Sequence, residues 1–224
     1  THQTFELWFK QVIREVREVR DILALEHVPE AQVPNAVYHL GRVTEIFRLL
    51  AAQWQVMETL SPQGFLAFRD GLGTASGFES FQMREMEILL GLEAGGRVSE
   101  MDPLAHFRKL ASRGPDDAAA LKSLETTLEE TTLVSALTTW LERTPIMGSF
   151  YGSEDDDEVV AAYVDAHLAA YTGIGEAASK RMEAQGVDNI EAVKARFAAS
   201  SQGAIDFLKP DGEVNRARAG LLFI

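Results

Sequence analysis

The run Phe65-Leu66-Ala67-Phe68-Arg69-Asp70 brings together residue types that can do chemistry. An arginine flanked by aromatic side chains can grip a carboxylate through two parallel N–H donors. The stretch that follows, Asp70-Gly71-Leu72-Gly73-Thr74-Ala75-Ser76-Gly77, has three glycines in eight residues, so its backbone amides can approach a ligand closely. The plain alternative is that Arg69 pairs with an acid on the surface. Five histidines, His2, His27, His39, His106 and His167, are the other candidate groups. None forms an HExxH or His-x-His pair and no two lie three or four apart, so a helix-borne zinc site is not supported. The phosphate-binding patterns GxGxxG and GxxxxGKS/T are absent, as is the hydrolase pattern GxSxG.

These groups need elements to position them, and the apolar spacing is helical throughout. Phe5, Trp8, Val12, Val16, Val19, Ile22 and Leu23 recur at three and four, predicting an amphipathic helix of about six turns over Phe5 to His27. A second helix is expected from Asn35 to Leu60 on Val37, Leu40, Val43, Ile46, Phe47, Leu50, Trp54 and Met57, antiparallel to the first across a loop holding Pro29 and Pro34. Ser61-Pro62 reads as an N-cap with proline in the first turn, opening a short helix through Phe65 to Arg69. Further helices are expected over Phe78 to Leu92, over Asp116 to Arg143 as one long element, over Val159 to Thr172, over Ile190 to Leu208 and from Val214 onward. The acidic run Gly152-Ser153-Glu154-Asp155-Asp156-Asp157-Glu158 reads as a solvated helix N-terminus, because its spacing is not that of a calcium loop. No convincing strand run is found, and the expected fold class is all-α, a helical bundle with long antiparallel helices in a single domain over residues 1–224.

The 224 residues carry 21 Lys+Arg against 34 Asp+Glu, a formal charge of −13. That balance argues against nucleic acid as the main partner, since a phosphate-binding surface needs clustered cations. The 46% hydrophobic and 25% charged composition is that of a globular domain. The absence of cysteine excludes disulfides, thiolate-held zinc, iron–sulfur clusters and a thiolate-ligated haem from these residues. No run of about 18 apolar residues occurs, so no membrane partner is expected and the reading is cytoplasmic. The start at Thr1 and the apolar end Gly220-Leu221-Leu222-Phe223-Ile224 read as internal to a longer chain.

Several stretches together resemble one family. His2-Gln3-Thr4-Phe5-Glu6-Leu7-Trp8-Phe9-Lys10 is similar to the HQxxELWxK segment of the haem-dependent tryptophan 2,3-dioxygenases. The resemblance continues through Arg42 to Leu50 and through Gln53 to Pro62. Phe68-Arg69-Asp70 through Ser76-Gly77-Phe78-Glu79-Ser80-Phe81-Gln82 and Arg84 resembles FRDxLxxxSGFQSxQxR, and Trp140-Leu141-Glu142-Arg143-Thr144-Pro145 matches a further family stretch. The likeness is close over residues 1–145 and looser beyond.

The resemblance implies haem b as cofactor, L-tryptophan and O₂ as substrates, a homotetramer, and cleavage of the indole C2–C3 bond to N-formylkynurenine. It puts His2 at a distal histidine that accepts the indole N–H, Arg69 on the α-carboxylate, Phe65 on an aromatic wall and Leu72 on an apolar one. Trp54, Ser76, Gly77 and Arg84 fall at positions beside the haem. Trp54 and Phe65 can equally be core residues at helical spacing. Glu79 replaces the family's usual glutamine. The proximal histidine of an RHxxxV-type motif and a GTGGSSG loop are expected after Ile224, so residues 1–224 alone are not expected to hold a competent haem. Two alternatives stay open: a haem monooxygenase of tryptophan or a related aromatic amino acid, and a haem-free helical scaffold.

Overall fold

Val12, Val16 and Val19, spaced at four and three, are all fully enclosed, which is the buried stripe their spacing predicts. The computed structural model describes residues 2–69, 71, 80–92 and 104–224, with residue 2 through its backbone alone. Among these residues the regular elements are helices, joined by one isolated bridge between Ile146 and Ser149, and the fold is all-α. In chain order they are α1 (His2–Leu23), α2 (Val33–Glu58), α3 (Pro62–Arg69), α4 (Phe81–Leu90), α5 (Ala105–Leu110), α6 (Pro115–Leu128), α7 (Leu133–Arg143), α8 (Asp156–Ala184), α9 (Ile190–Leu208) and α10 (Arg216–Phe223). No helix among the described residues is long and apolar enough to cross a membrane. The chain divides into two compact units, Thr1–Leu137 and Thr138–Ile224.

In the first unit α1 and α2 run antiparallel, since Phe5 meets Trp54 at one end while Glu15 meets His39 and Arg42 at the other. Val12, Ile13 and Val16 of α1, Val43, Ile46 and Leu50 of α2, and Met86 and Leu89 of α4 form its main core. A second cluster joins Ile88, Leu104, Phe107, Leu110 and Leu124 across α4, α5 and α6. Charge ties the layers where apolar contact ends. Arg17 Nη2 donates to Glu85 at 2.8 Å and to Glu130 at 2.7 Å, and Arg20 also binds Glu130. These bonds from Arg17, against an opposing cost of burial, and those from Arg20 hold the Glu130 carboxyl below its ordinary range.

Three expected helix bounds are corrected, and one helix is added. The first helix ends at Leu23, four residues before His27, where Leu25 N–H turns back to Ile22 O. The long helix over Asp116 to Arg143 is two helices. Glu129 and Glu130 N–H close back on Thr126 and Thr127 at 3.1 Å, Glu130 is drawn to Arg17 and Arg20, and α7 restarts with Thr132 Oγ1 accepting from Ser135 N–H at 3.1 Å. Helix α5 had no expectation; its six residues are too short for a periodic signal. The helix expected over Val159 to Thr172 runs on to Ala184. Gly175 does not stop it, because it sits where Phe197 of α9 packs: a Cβ there would lie 3.3 Å from Phe197 Cδ1.

The second unit is built on α8 and α9 with α10 across them, around Ile146, Val160, Val164, Leu168, Leu208 and Ala219. Asp156 overturns the solvated reading of the acidic run. It is 3% exposed, and its carboxylate accepts from Arg216 Nε at 2.9 Å, from Arg216 Nη2 at 3.3 Å and from Ser149 Oγ at 2.9 Å. Asp155, Asp157 and Glu158 do stay exposed or nearly so, as a helix start predicts.

Candidate functional site

The first turns of α1 and α4 and the last turns of α2 converge. Phe5, one turn after His2, sets its ring 6.0 Å from that of Trp54 at an angle of 60°. Phe9 stacks edge-on against Phe5, also at 6.0 Å. Glu6 Oε2 accepts from Gln82 Nε2 at 2.7 Å, which joins α1 to α4. Ser80 caps α4, its Oγ accepting from Met83 N–H at 3.1 Å. The structure thus brings Trp54, the backbone of His2 and the helix of Arg84 into one region.

Trp54 is 60% exposed and so is not a core residue. Its helix is apolar on several sides, so the three-and-four spacing that covers Val43, Ile46 and Leu50 does not extend to it. Arg84 is mostly covered and donates from Nη1 to Glu87 at 2.5 Å, one turn along α4. The guanidinium has five donors, so one such pair does not exhaust it.

Phe65 and Arg69 share one face of α3, four residues apart. The helix begins as the sequence predicts, with Gly64 N–H on Ser61 Oγ at 3.0 Å. None of its residues is buried: Phe65 is 41% exposed, and it meets Phe68 edge-on at 5.6 Å. Phe65 is therefore a surface aromatic and not core. Leu72, Ser76, Gly77 and Glu79 lie outside the described residues, as does the side chain of His2.

A family model described as tryptophan 2,3-dioxygenase matches residues 1–206. The chain belongs to the tryptophan 2,3-dioxygenase family. A curated tryptophan 2,3-dioxygenase from Anopheles gambiae is 38% identical over 145 residues, 65% of this chain and 36% of the relative. One from Sorangium cellulosum is 33% identical over 214 residues, 92% of this chain and 50% of the relative. Tryptophan 2,3-dioxygenase 2 of Ralstonia nicotianae is 34% identical over 242 residues, which takes in 100% of this chain and 63% of the relative. The chain thus spans between about a third and three-fifths of these relatives' length.

For a tryptophan 2,3-dioxygenase family member, the donor set can be tested against a haem. Trp54 offers an exposed aromatic face and Arg84 a cation, which suit a porphyrin plane and a propionate edge. The axial ligand is a separate requirement. His39 Nδ1 is engaged with Glu15, His27 is exposed after α1, His106 packs edge-on against Phe107, and His167 belongs to α8 in the other unit. By their chemistry Trp54 and Arg84 suit the wall of a haem pocket, whereas His39 Nδ1 is already taken by Glu15.

Three contributors escaped the sequence reading: Phe5, Glu6 and Gln82. Phe5 and Glu6 follow His2 by three and four, the helical neighbours of a candidate site residue, and that spacing was the available signal. Gln82 carried no periodic signal, since a tertiary partner 76 residues away leaves no such trace, and only its place in the resembling motif marked it.

Proposed function

We propose that the protein is a cytoplasmic, homotetrameric tryptophan 2,3-dioxygenase, which adds both atoms of O₂ across the indole C2–C3 bond of L-tryptophan to give N-formylkynurenine. The observation that carries this reading is the family match over residues 1–206. Haem b, when bound, supplies the oxygen chemistry. The protein's part is to bind, orient and exclude water.

Arg69 holds the α-carboxylate with two charge-assisted hydrogen bonds, and Phe65, on the same face of α3, packs the ring together with Leu72. His2, as a neutral imidazole, accepts the indole N–H and fixes the ring's rotation. Trp54 forms a wall for the porphyrin, Arg84 meets a propionate, and Ser76 and Gly77 line the haem edge. The half-exposed aromatic face of α3 supports this assignment, because an amphipathic ligand needs an uncovered ring beside its cation.

Tryptamine keeps the indole and the amine and lacks the carboxylate. With the haem-loaded full-length protein, its kcat/KM is expected to fall about tenfold or more below that of L-tryptophan, the cost of one charged contact. Equal turnover of the two would overturn the role of Arg69.

A further inference from the structure

Glu6 and Gln82 stand in the two stretches that carry the strongest family resemblance, yet neither has a part in the site as proposed. Their hydrogen bond, 2.7 Å between half-buried side chains, is a tertiary bond between helix starts. Phe5 against Trp54 and Glu6 on Gln82 are among the contacts that hold the described first turns of α1 to their neighbours. The far partner is itself fixed, because Ser80 caps the turn of α4 from which Gln82 projects.

We propose that Glu6 and Gln82 are a positioning pair that holds the His2 turn of α1 against the Arg84 turn of α4, and that turnover depends on that spacing. The proposal rests on the reading that His2 and Arg84 serve one pocket. Its polarity is fixed: an ionised carboxylate only accepts, so the Gln82 amide must donate. Exchanging the two residues therefore restores the bond reversed. Gln82→Glu alone sets two carboxylates face to face, and Gln82→Leu leaves Glu6 without this donor.

The test uses the full-length, haem-loaded protein as wild type, Q82L, Q82E and the exchange E6Q/Q82E. Amide hydrogen exchange is followed in a peptide covering residues 2–10, alongside kcat and KM across pH. Q82L and Q82E are expected to speed exchange there, and to lower kcat/KM, each by about tenfold, the scale of a bond to a charged group. The Q82E loss should shrink toward acid, as the facing carboxylates come to share a proton, while the Q82L loss should not. E6Q/Q82E should return exchange and kcat/KM to within about threefold of wild type. Unchanged exchange in Q82L and Q82E, or an exchange variant that stays loose, would overturn the pair. Faster exchange with unaltered turnover would overturn its positioning role. Should the wild type leave L-tryptophan untouched, the reading of the reaction falls, whereas exchange in the four proteins still decides whether the pair holds α1.

Discussion

Asp156 and Arg216, sixty residues apart, form a buried ion pair in which the guanidinium Nε donates to Oδ2 at 2.9 Å and Nη2 also reaches Thr144 O at 3.0 Å. One side chain thereby joins the start of α8, the start of α10 and the turn that ends α7. Burial pushes the Asp156 carboxyl up, but hydrogen bonds from Arg216 and Ser149 outweigh it, and the group sits below its ordinary value.

The consequence for stability has a definite sign. A depressed carboxyl pKa stabilises the fold above the unfolded value of about 4, and that contribution is lost as pH falls through the lower folded value. Asp156→Asn is expected to destabilise the protein by about 3 kcal/mol at pH 7, since it leaves a buried guanidinium uncompensated. Its acid unfolding should be correspondingly flatter than that of wild type. Urea melts between pH 3 and 7 measure both; an unchanged midpoint at pH 7 would contradict the pair's role.

Gly220 of α10 meets the backbone of α7 directly, for a Cβ there would lie 2.2 Å from Leu141 O. Backbone cannot step aside as a flexible side chain can. Gly220→Ala should therefore cost about 1–3 kcal/mol, the range of overpacking, whereas Gly203→Ala, at an open position inside α9, should be neutral or stabilise by up to about 1 kcal/mol. Thermal melts of the two variants make the comparison.

Thr132 separates α6 from α7 by capping the second helix through Ser135 N–H. Thr132→Ala is expected to destabilise by about 1 kcal/mol, the loss of one cap, and Thr132→Ser to keep most of it. Equal melting of the alanine and serine variants would show that the cap does not set the break.

At the proposed site, Arg69→Ala should lose at least about 2 kcal/mol of transition-state stabilisation in kcat/KM. Arg69→Lys should recover only part, because an ammonium cannot reproduce the paired donors of a guanidinium. Steady-state kinetics on the full-length protein check this, and a near-wild-type value for the alanine variant would remove Arg69 from the carboxylate.

How much could be read beforehand follows from the kind of signal each feature leaves. The valines of α1 and the buried row of α2 declare themselves by period, and the opening of α3 by Ser61-Pro62. The break at Thr132 does not, because the leucine spacing continues across it and the helix ends where Glu130 finds Arg17 and Arg20. Asp156 sat in an acidic run whose other members are solvated; only its distant partner Arg216 distinguishes it. The roles proposed for Phe65 and Arg69 come from composition and resemblance together, while the contact between Glu6 and Gln82 depended on which helices meet. The central apolar spacing also could not tell Trp54 from a core residue, because an all-round apolar helix has more apolar positions than the packed side can take.

The proposed reaction is tested most directly by the product mass from the full-length, haem-loaded, reduced protein given L-tryptophan and ¹⁸O₂. Two labelled oxygen atoms in a product with the mass of N-formylkynurenine are expected. One labelled atom, as a monooxygenase gives, or no product at all, would contradict the dioxygenase assignment.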